Sequence, residues 1–211
     1  MVHYKLTYFN FRGFGEAARQ IFHLAGVEFE DIRITHGDPS WAKLKEEVPF
    51  GQIPILSVDG FEIPQSAAII RYLARKFGYA GKTPEEEAWV DAIVDQFKDF
   101  IAVFRAYIAA GFLNKPVEEL DRIRRDISQP ACDEWLKTIT GVLEESKSGY
   151  LVGDSLTFAD LVVADNLVTL RVHGFMKNED YPILAKHQAK IHNLPKLKEW
   201  IAIRPPTYNQ L

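Results

Sequence analysis

The residues able to do chemistry in this chain are few, and most lie in its first third. Tyr8 ends the alternating run Tyr4-Lys5-Leu6-Thr7-Tyr8. Its phenol can fill a core or donate a hydrogen bond from the tip of a strand. Ile53-Pro54 stands directly before a short apolar run. Proline lacks an N–H and fixes its own φ, so it sits badly inside a strand ladder. A cis Ile53-Pro54 bond would turn the chain and leave the Ile53 main chain free to pair outside the sheet; a trans bond would make this an ordinary strand edge. Gln65-Ser66 opens a helix. There Ser66 can cap the first turn, or free amides and the helix dipole can hold a carboxylate. Asp91, Asp95 and Asp99 repeat every four residues. Three like charges on one helix face repel, so the row calls for cations or water.

Other chemistry finds no support. His3, His23, His36, His173, His187 and His192 show no metal-ligand spacing, so no metal is expected. Cys132 is the single cysteine, which rules out an internal disulfide, and without a Cys-x-x-Cys pair disulfide exchange is disfavoured. A net charge of −4 gives no basic excess for nucleic acid or an anionic membrane surface. Hydrophobic residues at 47% can build an ordinary core, yet no apolar run is long enough to span a bilayer. The N-terminal MVHYKLTYF lacks the apolar segment of a signal peptide. Together with the lone thiol, this leads us to expect a protein of the reducing cytoplasm.

These residues must be positioned by two halves of different grammar. Residues 3–9 and 28–34 read as strands, with Tyr4, Leu6 and Tyr8 on one face of the first. Helical spacing marks residues 15–24, stopped by Gly26, and the short segment 40–46. Residues 53–58 and 61–63 form a hairpin about Asp59-Gly60, followed by a helix over 66–76. The order β-α-β-α-β-β-α begins with a unit that requires a parallel strand pair. Past the glycine-bearing stretch 78–82, the strand signals vanish. Thr83-Pro84 starts a long helix whose apolar residues make two stripes. One runs through Val90, Ile93, Val94, Phe97, Ile101, Phe104 and Ile108; the other takes Trp89, Ala92, Phe100, Val103 and Tyr107. Such a helix should touch both its own core and something else. Residues 117–146 read as a helix bent at Pro130, and helices over 157–172, 181–192 and 195–203 complete the all-α half. The expected division is an α/β domain over 1–77, a linker over 78–82 and an all-helical domain over 83–211.

Read together, "YKLTYFNFRG…AR", "W…K…VPFGQIPILSVDG", "IPQSAAIIRYLA" and "GDSLTFADL" resemble the cytosolic glutathione transferases along essentially the whole chain. The likeness is greatest to the sigma-like group, which includes nematode transferases and haematopoietic prostaglandin D synthases. It implies a thioredoxin-like N-terminal domain, reduced glutathione as co-substrate with no prosthetic group, and conjugation of its thiolate to hydrophobic electrophiles. By this resemblance Tyr8 donates its hydroxyl to the glutathione sulfur. Trp41 and Lys45 hold the glycine end. Gln52 and Ile53, before a cis Pro54, meet the cysteinyl portion, Gly51 shapes the approach, and Gln65 and Ser66 hold the γ-glutamyl carboxylate.

The family also implies a homodimer in which Asp99 reaches the neighbour's γ-glutamyl ammonium, with Arg71 and Arg75 answering the acidic row across the interface. Thr157-Phe158-Ala159-Asp160 is a capping box assigned to stability. Relatives with a prostaglandin site carry Arg-Gly-Arg where this chain has Arg12-Gly13-Phe14. Phe14 is instead expected to line an apolar electrophile pocket with Phe9, Phe104, Tyr107 and Leu211. A glutathione-dependent prostaglandin-type isomerase, or a carrier of haem or other lipophiles, is the alternative on the same fold.

Overall fold

The computed structural model describes residues 2–35 and 37–207. Strands β1 (Tyr4–Phe9) and β2 (Glu30–Ile34) pair in parallel, with Tyr8 opposite Arg33. Parallel neighbours need a crossover, and α1 (Glu16–Ala25) supplies it. Gly26 ends that helix in the left-handed region at φ 69°, as its type permits. A short helix, α2 (Ser40–Glu47), leads to β3 (Ile55–Val58) and β4 (Phe61–Pro64). Their turn places positive φ at both Asp59 and Gly60, the backbone twist that a two-residue hairpin favours. The sheet order is β2-β1-β3-β4, with β1 antiparallel to β3, and α3 (Ser66–Phe77) closes the unit.

Helix α4 (Pro84–Phe112) starts where the sequence suggests: the Glu86 amide donates to the Thr83 hydroxyl at 3.2 Å, with Pro84 at the first helical position. The stretch expected to be one bent helix is divided into α5 (Val117–Ile123), a widened π turn over Arg124–Ser128, and α6 (Gln129–Glu145). Pro130 explains the widening, because it has no N–H to give the carbonyl four residues back and its ring crowds that carbonyl. Three further helices follow: α7 (Phe158–Val172), α8 (Pro182–His192) and α9 (Pro195–Ile203).

Buried residues of the sheet unit, such as Leu6, Ile21, Phe22 and Leu73, continue into those of the bundle, Val90, Ile93, Leu161 and Leu197, as one apolar cluster. Helix α1 packs against α7 and α9, and α3 against α7. The Phe158 amide also donates to the Tyr79 carbonyl at 2.9 Å, tying the connecting stretch to α7. These contacts fix how the sheet unit sits against the bundle.

Candidate active site

Tyr8 lies on the buried face of β1 with Tyr4 and Leu6, as strand alternation dictates. Its ring packs so closely beneath the loop after β1 that a Cβ on Gly15 would fall 2.6 Å from Tyr8 Cδ1. The Phe14 amide donates to Tyr8 Oη at 3.3 Å. Burial pushes the Tyr8 pKa up; the Phe14 amide and the charges of Arg19 and Arg105 oppose this without reversing it. The phenol therefore remains protonated at neutral pH.

Beneath it is a buried polar network. Arg19, fully buried, lies 5.9 Å from the Tyr8 ring centre. It donates to the Phe11 carbonyl at 2.7 Å and to Asp31 at 3.0 Å. Arg12 reaches α7, donating to Asp165 Oδ1 and to Thr169 Oγ1, each at 2.8 Å. Glu16 accepts from Trp200 Nε1 at 2.9 Å and from Arg204 at 2.8 Å. Charged groups removed from water need partners of this quality, and the network binds the loop bearing Gly13 and Phe14 to the helical half.

Several of the expected site residues converge. The Phe9 ring stands 5.1 Å from that of Trp41 and 5.9 Å from that of Tyr8. Gly51, at φ 60°, lies so near α2 that a Cβ would meet the Lys45 carbonyl oxygen at 3.3 Å. Ile53-Pro54 is cis. Gln65 Nε2 donates to Gln52 Oε1 at 3.3 Å, which joins the two glutamines at the mouth of α3. Ser66 is not the cap, as one reading of the sequence had it, but the first helical residue; no side chain caps this helix. Its N-cap, Gln65, is held at φ 71° and ψ 118°, a conformation that costs a non-glycine residue about 1–3 kcal/mol. Strain of this kind persists where surrounding structure over-determines it, often around ligands.

The aromatic side chains that gather near Tyr8 are not all those expected. Phe9 is among them, and Phe14 is half-buried beside Tyr8. Phe104 is fully buried, its ring 4.8 Å from Phe175 and 5.3 Å from Phe100, so it is bundle core and cannot line an open pocket. Tyr107 is half-buried, its ring 4.9 Å from that of Phe175. Leu211 lies outside the described residues. The residues that the sequence reading missed are Phe11, whose ring is 5.7 Å from Phe9, and Phe112, 5.3 Å from Phe11. Arg105, seven residues before Phe112 and thus on the same face of α4, was missed as well. The signal was present: Phe112 continues the apolar content of the helix beyond the last residue of the recognised stripe.

Two members of the acidic row, Asp91 and Asp95, are answered by arginines of the same chain. Arg71 Nε meets Asp91 at 2.7 Å, Arg71 Nη2 meets Asp95 at 2.9 Å, and Arg75 meets Asp91 at 3.5 Å. Asp99 is exposed at the end of this row. Cys132 is buried, and burial pushes its pKa up to about 12, which leaves an inert thiol.

This geometry coincides with two family models: residues 4–75 match the N-terminal domain of glutathione S-transferase and residues 102–204 its C-terminal domain. The chain belongs to the glutathione S-transferase family. Glutathione S-transferase 3 of Caenorhabditis elegans is 51% identical over 98% of this chain and 99% of its own length. A solved Nu-class GST from Haemonchus contortus is 49% identical, with full coverage of both chains and a TM-score of 0.88. Rat hPGDS, solved with a quinoline, is 34% identical with a TM-score of 0.86 over 99% of this chain and 100% of that one. The transferase thus shares its whole architecture with nematode enzymes and, more distantly, with a prostaglandin D synthase. Among the described residues, no helix is long and apolar enough to cross a membrane.

Proposed function

We propose that this transferase binds reduced glutathione in the cleft beneath α3, holds its sulfur as a thiolate at Tyr8, and delivers that thiolate to hydrophobic electrophiles. The observation that carries this reading is the state of the phenol. A hydroxyl has one proton and two acceptor lone pairs. With the Phe14 amide on a lone pair and burial keeping the proton in place, the O–H is left to point at an incoming anion. A free thiol titrates near ~8.5, and bringing it down by about two units requires about 2.7 kcal/mol. A hydrogen bond to a charged acceptor supplies about 1.5–3 kcal/mol, so one phenol accounts for most of the shift.

In the conjugation step the sulfur lone pair forms the S–C bond, and the electron pair displaced from the electrophilic carbon leaves with the departing group or moves onto an adjacent acceptor. Lys45 carries the charge for the glycine carboxylate, with Trp41 beside it. Gln65, Ser66 and the uncapped amides of α3 suit the γ-glutamyl carboxylate. Gln52 and the Ile53 main chain face the cysteinyl portion, while Gly51 and Pro54 shape the loop that brings them there. Phe9, Phe14 and Phe112, each half-buried, offer an apolar surface to the electrophile, with buried Phe11 packed behind them. To Asp99, the exposed acid on α4, this reading assigns the γ-glutamyl ammonium bound by a second copy, in a homodimer. A single buried thiol suits the cytoplasm.

Tyr8→Phe tests the mechanism: turnover at neutral pH should fall about tenfold to a hundredfold, while glutathione affinity stays within about twofold. Undiminished turnover would refute the role of the phenol. The likeness to rat hPGDS favours prostaglandin-type isomerisation as the second reading. Phe14 in place of an arginine counts against it, and product analysis with a prostaglandin endoperoxide decides between them. Titration with haem, with and without glutathione, would reveal carriage of a lipophile on the same aromatic wall.

A further inference from the structure

Gly13 is the only residue between two anchored neighbours. On one side, Arg12 is buried and fastened to Asp165 and Thr169 of α7. On the other, the Phe14 amide donates to Tyr8 Oη. Gly13 itself takes φ +33°, a backbone state that side chains disfavour. A Cβ placed on it would lie 2.9 Å from Tyr8 Oη, while the ring atoms Cε1 and Cζ would be 3.6 and 3.7 Å away. The single atom in conflict with a side chain at position 13 is therefore the phenol oxygen. That oxygen cannot easily retreat, because its ring is buried and already touches the space beside Gly15.

We propose that Gly13 is a positioning residue for the thiolate-stabilising hydroxyl. Its missing side chain lets the loop lie against Oη so that the Phe14 amide takes an acceptor site and the O–H is directed outward. The helical half, through Arg12 and Asp165, holds the loop at that distance. The proposal rests on the reading of Tyr8 as donor to the glutathione sulfur.

The test is a titration of the enzyme–glutathione complex through the ultraviolet absorbance of the thiolate, in wild type, Gly13→Ala, Tyr8→Phe and the double variant. In Gly13→Ala the bound thiol should titrate about one unit higher, a roughly tenfold loss of thiolate below its pKa. The pH–rate profile should move with it, lowering kcat at neutral pH but not at high pH, with KM for glutathione little changed. In the Tyr8→Phe background the same glycine substitution should add no further shift, and the methyl should be better tolerated because the oxygen it meets is gone.

An unshifted thiol in folded Gly13→Ala overturns the proposal, as does an equal added shift in the Tyr8→Phe background. Should Gly13→Ala not fold, the double variant is compared with it, the positive φ straining both alike: a larger folded fraction in the double variant supports a clash with the hydroxyl, and no gain overturns it. If Tyr8→Phe alone leaves the thiol pKa where it is, the reading of Tyr8 falls first, and the outcome is distinguishable from failure of the glycine argument alone.

Discussion

Asp160 is fully buried, and the bonds it accepts can be counted one by one. Oδ1 accepts from the Leu151 amide at 2.8 Å and lies 2.9 Å from His187 Nε2. Oδ2 accepts from the Thr157 amide at 2.8 Å and from its hydroxyl at 3.0 Å. Asp160→Ala strands two buried main-chain N–H groups, those of Leu151 and Thr157. Each buried donor left unpaired costs about 1–3 kcal/mol, so the amides alone amount to about 2–6 kcal/mol, and the imidazole adds to this. Against a domain stability of about 5–15 kcal/mol, such a loss leaves a marginal protein. Asp160→Asn retains one carbonyl acceptor and should forfeit about half as much. Thr157→Ala, which removes only the hydroxyl side of the capping box, should cost about 1 kcal/mol. Urea unfolding followed by tryptophan fluorescence gives the ranking through the midpoint at constant slope. A loss under about 1 kcal/mol for Asp160→Ala, or equal losses for alanine and asparagine, would show that the carboxylate is not what satisfies these donors.

Two further outcomes follow from charge. His192 is driven down to about 4, first by burial and then by the nearby cations Arg204, Arg12 and Arg171. Its folded pKa is below its free value of 6.5, so its contribution is fully present above that value and is lost as pH falls toward about 4, by about 3 kcal/mol in all. His192→Gln should therefore gain on the wild type between those limits in urea unfolding, and a pH-independent difference would contradict this. On α4, Asp95→Ala should lower stability slightly, by about 1 kcal/mol or less, because Arg71 loses one of its two carboxylate partners, whereas Asp99→Ala should leave stability alone and weaken glutathione binding several-fold or loosen the proposed dimer. Calorimetry and light scattering read these directly, and no change in either property would remove Asp99 from the site.

Local signals in the sequence proved sound wherever one residue dictates its own surroundings. Strand alternation put Tyr8 on the inner face of β1, Asp59-Gly60 made its turn, Thr83-Pro84 opened α4, and Thr157 with Asp160 closed a capping box. Pro130 disturbed its helix as expected, but by widening the turn ahead of it to a π turn. What could not be read was any property belonging to two elements at once. Arg12, Glu16, Arg19, Asp165 and Arg204 meet across separations of up to 188 residues, and nothing in their local spacing announces it.

Helix α4 shows why in detail. Its heptad-like spacing establishes which residues share a face, but not which way that face is turned. Phe100, Phe104 and Tyr107 lie within a narrow arc and turn to Phe175 and Trp135 in the bundle. Arg105 and Phe112 are displaced by about 100° in phase, and Phe112 meets Phe11 on the loop after β1. Trp135 of α6 and Phe175, just past α7, bury this aromatic arc, which removes much apolar area from water. The residues about 100° away are left outside the bundle core. On the proposed reading, an electrophile entering beside Tyr8 would meet the rings of Phe9 and Phe112, with the charge of Arg105 near enough to act on the phenol. That charge would attract negative charge as it develops on an acceptor group during attack by the sulfur, which is where stabilisation accelerates the step.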